Sequence, residues 1–141
     1  MNTNWLKPIG TVELPWPNIP YDDRGYVNFR GNRPRQIHPG DRMVLYAVGG
    51  WKCIFGLVEV TGEVEDSGED EWRYLVKVRI ITNMCPSDGV PINEVNTLQR
   101  DLLDSIRARH AYIKLSPEEF ELAVTKLRQR EAELRQVAVR K

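Results

Sequence analysis

The chain predicts an α+β fold: a small, mostly antiparallel, partly open β-barrel flanked by short helices, in one domain spanning residues 1–141. Three observations carry that expectation. The 141 residues are 41% hydrophobic and 28% charged, the balance of an ordinary globular domain with enough chain to bury a core. Short apolar runs separated by turn signals fill residues 42–82, and hairpin-linked strands make antiparallel sheets. Helical spacing is confined to the last third of the chain.

The elements follow in order. "NWLKPIGTVEL", residues 4–14, predicts one strand or two short ones, broken at Pro8 and Gly10. Residues 15–40 are irregular and hold five of the nine prolines. A connection of that length in a small domain is usually functional or disordered, and its aromatics (Trp16, Tyr21, Tyr26, Phe29) argue for order. "HPGD" at 38–41 is a turn. Strands 42–48 and 52–60 flank Gly49-Gly50, which suits a tight hairpin. Both faces of these strands are apolar, so they are expected to be covered on both sides.

"EDSGEDE", residues 65–71, reads as a solvated acidic turn. In "EWRYLVKVRIIT", residues 71–82, Trp72, Tyr74, Val76, Val78 and Ile80 share one face, and Arg73, Lys77 and Arg79 the other. Asn96 and Gln99 resemble a capping box for a helix over 97–108. A short strand at 110–115 precedes Ser116-Pro117-Glu118-Glu119, an N-cap serine with proline at the first position and glutamate at the third. The final helix is expected over 117–136, with a frayed charged tail beyond.

Several function classes are excluded by what the sequence lacks. No apolar run approaches the ~20 residues that span a bilayer, and "MNTNWLKPIG" is no signal peptide, so the expected location is the cytoplasm. Cys53, Cys85, His38 and His110 have no zinc-ligand spacing, and no metal or cofactor is expected. There is no GxSxG, GxxxxGK[ST] or GxGxxG, so no enzymatic activity is expected. With 20 basic and 20 acidic residues, only local segregation of charge can attract nucleic acid.

Binding chemistry is better represented. Twelve aromatics include four tryptophans, whose flat faces and polar edges suit stacking on single-stranded or flipped bases. Trp16, Tyr21, Tyr26, Phe29 and Trp51 lie in loops or at strand ends, where they serve either as plugs of a barrel end or as ligand contacts. "FRGNRPRQ" gathers Arg30, Arg33 and Arg35 around Asn32. Lys77 and Arg79 lie on one strand face, and Arg107 and Arg109 precede the last strand. Arginine forks match phosphates, and asparagine can donate and accept at a base edge.

The order of motifs resembles the EVE family of the PUA-like superfamily, to which YTH and ASCH domains also belong. The resemblance rests on "NWLKP", "YVNFRGNRPRQIHPGDRMVLY", "IFGLVEVTGEV", "WRYLVKVRII" and "RARHAYIKLSPEEF". The matching positions are Gly40-Asp41 through Tyr46, Gly56 through Val60, Val76 through Arg79 and Leu115 through Phe120. "GYVNFRGNRPRQIHPG" departs from the family's tighter helix, and "PWPNIPYDD" is no close match. "GGWKCIFGLVEV" and "EWRYLVKV" are also similar to YTH stretches in which a tryptophan forms a cage wall.

The resemblance implies a PUA-like barrel that takes a modified base of DNA or RNA into an aromatic pocket. Methylated or hydroxymethylated cytosine is one candidate base. The implied base pocket comprises Trp16, Tyr26, Asn28, Phe29, Asn32, Tyr46, Trp51 and Trp72, with Asn28 or Asn32 reading the base edge. Arg30, Arg33, Arg35, Lys77, Arg79, Arg107 and Arg109 are the expected phosphate contacts. An effector nuclease on a separate chain is a further expected partner. Two rivals stand beside this reading. An ASCH-like enzyme acting on a modified nucleoside needs a lysine and a carboxylate facing one pocket. A protein-interaction module would use the C-terminal helix.

Overall fold

A computed structural model of the chain describes residues 2–21, 25–95, 101–107 and 111–140. Its strands are β1 (Asn4–Ile9), β2 (Tyr26–Phe29), β3 (Arg42–Ala47), β4 (Cys53–Val60), β5 (Glu65–Asp66), β6 (Tyr74–Asn83), β7 (Val90–Pro91) and β8 (Ile113–Lys114). The helices are α1 (Leu102–Arg107) and α2 (Pro117–Arg140), with single 3-10 turns at Pro86–Asp88 and Ile92–Val95. The strands form one curled sheet in the order β2-β6-β4-β3-β1-β8, with β5 added to β6 and β7 to β4. Together with α2 they make an α+β half-barrel.

The sheet is mixed, which corrects the mostly antiparallel expectation at one place. β1 pairs β3 in parallel, from Asn4 opposite Arg42 to Ile9 opposite Ala47. The cause is the long connection between them, residues 10–41. It carries the chain to the far edge of the sheet, where it forms β2 against β6, and returns it to β3. Parallel neighbours need a long crossover, and this connection is one.

Asp41 anchors the return. It is buried, and its carboxylate accepts from the Thr3 N–H (2.9 Å), the Trp5 Nε1–H (3.0 Å) and the His38 N–H (3.0 Å). Three donors on one buried carboxylate replace the water it lost. The Gly40-Asp41 pair thus ties the start of β3 to β1.

β6 alternates as its sequence predicts: Val76 and Val78 are buried, while Lys77 and Arg79 face solvent. The strand begins at Tyr74, so Trp72 and Arg73 precede it. Glu65 and Asp66 form strand β5 opposite Leu75 and Tyr74, so the acidic turn is shorter than its composition suggests. Between β3 and β4 the two-glycine turn is replaced by a five-residue connection, residues 48–52, with Gly49 at φ 129 and Lys52 at φ 48.

The expected α2 start is present as a reciprocal capping box. The Ser116 N–H donates to Glu119 Oε1 (2.8 Å) and the Glu119 N–H to Ser116 Oγ (3.1 Å). The helix packs Ala123 and Leu127 into the shared core and runs on to Arg140, past the expected end at residue 136. Of the helix expected over 97–108, α1 covers Leu102–Arg107. Residues 97–100, the capping pair Asn96 and Gln99, Arg109 and His110 lie outside the described residues.

The barrel is left open between β1 and β2. At one end Tyr112, just before β8, closes it by packing edge-on against Trp5 of β1 (5.2 Å) and Phe29 of β2 (5.7 Å). β8 pairs only Trp5 and Leu6, so among the described residues no strand pairs the outer edge of β1 from Lys7 onward. Pro8 sits on that side. Carbonyls of Thr3 and Ile9 serve β3, whereas Asn4 accepts from Leu115 on the β8 side. By the two-residue alternation, the Pro8 nitrogen and carbonyl also point outward, where a missing N–H costs nothing. Gly10, at φ 89, then turns the chain back so that a Cβ there would lie 2.8 Å from the Trp16 nitrogen.

Candidate functional site

The unclosed seam is a cavity of about 640 Å³, inside the size range of small-ligand sites. One wall is the outer end of β1, Lys7 to Gly10, and the other is β2, Tyr26 to Asn28. Trp16, Tyr21, Glu69, Asp70, Glu71 and Trp72 complete its lining.

The Trp16 wall is held rigidly. Its ring stacks on Tyr21 (centroids 5.6 Å, interplanar angle 29°) and tilts against Phe55 (6.0 Å). Its Nε1–H donates to the Ile19 carbonyl (2.9 Å). Asn83, the last residue of β6, clamps Tyr21 by accepting from its N–H (2.9 Å) and donating to its carbonyl (2.7 Å). The Tyr21 hydroxyl donates to the Tyr26 carbonyl (2.9 Å), joining the loop to β2. Fixed rings of this kind make a stacking surface with little left to order on binding.

Two polar side chains face this apolar frame. Lys7 is buried, 4% exposed, between Phe29 (5.2 Å from ammonium to centroid) and Trp72 (6.0 Å). Its Nζ donates to the outward carbonyl of Pro8 (2.9 Å). Burial lowers its pKa from 10.5 to about 8, because the charged form loses its water. Asn28 is the second. Its side-chain Oδ1 is buried and has no hydrogen-bond partner among the described residues, an arrangement that costs about 1–3 kcal/mol and that a bound donor would relieve. A buried cation and an unsatisfied acceptor lining one cleft make it the candidate site of this fold.

The structure divides the residues predicted from sequence. Trp16, Tyr26, Asn28 and Trp72 meet at the cleft. Phe29 and Tyr46 are buried in the core and do not line it; Phe29 touches it only through Lys7. Trp51 lies in the β3–β4 connection, 43% exposed and away from the cleft. Asn32 lines a second concavity, together with Arg33 and Arg35.

Arg30 lines neither of these cavities but a further one that includes Lys7, Pro8 and Trp72; its guanidinium is 5.8 Å from the Trp72 ring and paired with Glu71 at 2.7 Å. Lys77 and Arg79 lie on the outer face of β6, lining neither cavity. Lys77 pairs Glu65 (3.9 Å) and Arg79 pairs Glu59 (3.2 Å), whose carboxyl is held below its usual range chiefly by the hydrogen bond from Arg79. Arg107 is the last residue of α1.

Lys7, Glu69, Asp70 and Glu71 line the cleft although the sequence does not mark them for it, whereas Tyr21 is among the loop aromatics it offers as plug or ligand contact. A signal for Lys7 existed: with Trp5 and Ile9 it occupies alternate positions of β1, so a lysine stands on an otherwise apolar face.

Among the described residues, no group of three His, Cys, Asp or Glu side chains converges as metal ligands, and no helix is long and apolar enough to cross a membrane. No family model matches the chain, and no curated protein matches it. Solved structures do. An NMR structure of a protein from Rhodopseudomonas palustris covers 89% of this chain and 92% of its own, with a TM-score of 0.61 at 17% identity. A crystal structure of a protein from Agrobacterium tumefaciens covers 88% and 92%, with 0.59 at 16%. A hypothetical protein from Leishmania major covers 95% and 98%, with 0.59 at 19%. At these identities the likeness is one of fold: the curled α+β half-barrel extends over nearly the whole length of each chain.

Proposed function

We propose that the protein is a PUA-like module of EVE type that binds nucleic acid by taking one modified base into the cleft between β1 and β2. The observation that carries this is that Asn28, with its unsatisfied Oδ1, and the buried Lys7 line one cavity together with Trp16, Tyr21, Tyr26 and Trp72. A base has two flat faces for Trp16 and Trp72. Its edge offers a donor for Asn28 and an acceptor for Lys7. Stacking contributes about 1–3 kcal/mol per base. A methyl group buried against the rings adds ~0.8 kcal/mol. Modified or unpaired bases also cost less to extrude. A cytoplasmic location and an effector on a separate chain are consistent with this reading.

The test is binding to short single- and double-stranded DNA and RNA, unmodified or carrying 5-methylcytosine, 5-hydroxymethylcytosine or N6-methyladenine. The expected result is a gain of ten-fold or more for one modified base, lost by more than ten-fold in Trp16→Ala and Trp72→Ala while circular dichroism stays native. Equal affinity across the panel, or unchanged affinity in both variants, refutes the assignment.

One observation favours a second reading. Lys7 and the carboxylates of Glu69, Asp70 and Glu71 line the same cavity, as an ASCH-like nucleoside enzyme requires, and a lysine near pKa 8 is suited to proton transfer. Against it, the three carboxylates are exposed at a turn and Glu71 is committed to Arg30. Turnover of acylated or alkylated nucleosides, abolished by Lys7→Met, would decide for the enzyme.

A further inference from the structure

The second concavity, beyond the Asp70–Tyr74 ridge, differs from the cleft in charge. It is lined by Asn32, Arg33, Arg35, Gln36, Tyr74 and Tyr112, with Arg73 and Asp70 at its margin. Arg73 is neutralised by Asp66 at 3.0 Å, and its hydrogen bond is the main reason the Asp66 carboxyl lies below its usual range. Arg33 stacks over the Tyr74 ring at 5.3 Å. Among the described residues neither Arg33 nor Arg35 makes an ion pair. Set against Asp70, these two arginines leave the concavity one positive charge in excess. The cleft is the opposite: with Glu71 paired to Arg30, its exposed lining carboxylates Glu69 and Asp70 still outnumber the single buried Lys7.

Charge therefore sorts a nucleotide into parts. A phosphate is repelled from the cleft mouth and attracted by the arginines, while a neutral base is admitted to the cleft. The two cavities share Asp70, and their aromatic walls Trp72 and Tyr74 are two residues apart, at most about 7 Å between Cα atoms. That is a short enough step for one base, its phosphodiester and the neighbouring residue to occupy both.

Building on the cleft reading, we propose that this concavity is a subsite for the phosphodiester and nucleotide flanking the recognised base. Arg33, which already packs on the Tyr74 ring, and Arg35 hold the phosphate, and Asn32, Gln36 and Tyr112 line the place of the neighbour. The ligand is thus a chain of at least two nucleotides, not a free base or nucleoside.

The experiment is an NMR titration with 5-methyl-2'-deoxycytidine and with dinucleotides carrying 5-methylcytosine on either side of the phosphate. The indole N–H signals of Trp16 and Trp72 report the cleft, and the Nε–H signals of Arg33 and Arg35 report the subsite. The nucleoside is expected to move the indoles alone. One dinucleotide should move both sets and bind at least ten-fold more tightly. Arg33→Ala/Arg35→Ala should return its affinity to that of the nucleoside and leave nucleoside binding unchanged. The salt slope of log K should be about −0.7 for the single phosphate engaged.

A dinucleotide that moves the indoles but not the arginines, or that binds no tighter than the nucleoside, overturns the subsite and leaves the cleft reading standing. Arginine shifts without indole shifts uphold an anion subsite and overturn the cleft. No shift in either set overturns both.

Discussion

Replacing Lys7 with methionine should make the protein more stable and at the same time disable it. Methionine has nearly the length of lysine and no charge. The buried ammonium has its pKa lowered from 10.5 to about 8, which corresponds to about 3 kcal/mol of cost to the folded state. The sign follows from proton counting. Below pH 8 both folded and unfolded chains carry the proton, and the whole cost is present. Between pH 8 and 10.5 the folded protein releases its proton while the unfolded chain keeps it, so stability rises with pH. Above 10.5 the cost has vanished.

The substitution also removes the hydrogen bond from Nζ to the Pro8 carbonyl, worth about 1 kcal/mol. At pH 7 Lys7→Met is therefore expected to gain about 2 kcal/mol, or roughly 6–8 °C in Tm for a chain of this size. At pH 11 the advantage should disappear or reverse by about 1 kcal/mol. Urea denaturation of both proteins at pH 7, 9 and 11 measures this. Common titrations such as those of tyrosines cancel in the difference. A variant less stable than the parent at pH 7, or a difference that does not change with pH, would show that the lysine is not held at a cost. Loss of base binding in the stabilised variant would mark Lys7 as retained for function.

Asn28→Val should behave alike on a smaller scale. It removes the unsatisfied Oδ1 and puts a strand-favouring residue on β2, so unfolding is expected at higher urea by about 1 kcal/mol, with weaker ligand binding; destabilisation would mean that the amide has a partner in solution. Lys77→Ala/Arg79→Ala should leave oligonucleotide affinity within two-fold in a fluorescence titration, because both charges are balanced by Glu65 and Glu59 on the far face of β6; a larger loss would extend the interface there. Ser116→Ala should cost about 1 kcal/mol in thermal unfolding without touching affinity, since it removes one half of the α2 cap.

What could be read from the sequence was local. The β3–β4 hairpin, the alternation of Val76, Lys77, Val78 and Arg79, and the Ser116–Glu119 box are each written within a few residues, and each is found. β2 escaped because it is four residues long and only Val27 and Phe29 are buried in the core, while Tyr26 and Asn28 line the cleft. β5 escaped because two acidic residues carry no strand signal. The parallel pairing of β1 with β3 is a choice of partner across more than 30 residues, which periodicity does not encode. The division of aromatics into cage and core has the same origin. Tyr46 and Phe29 look like Tyr26 and Trp16 in a sequence. Only the position of the gap in the sheet separates them. Lys7 was legible as an anomaly, a charge on an apolar face, but its meaning depended on β8 ending at the level of Leu6.

That early end of β8 bears on self-association. An unpaired strand edge beside an apolar slot is a template on which a second copy, or any extended peptide, could add itself. Here the edge is disarmed in both senses. Pro8 has no N–H to offer an incoming strand, and its carbonyl is already taken by the Lys7 ammonium. The same two residues that leave the barrel open also keep the opening from being filled by backbone, so the slot stays reserved for something that brings a ring and a polar edge instead of a strand.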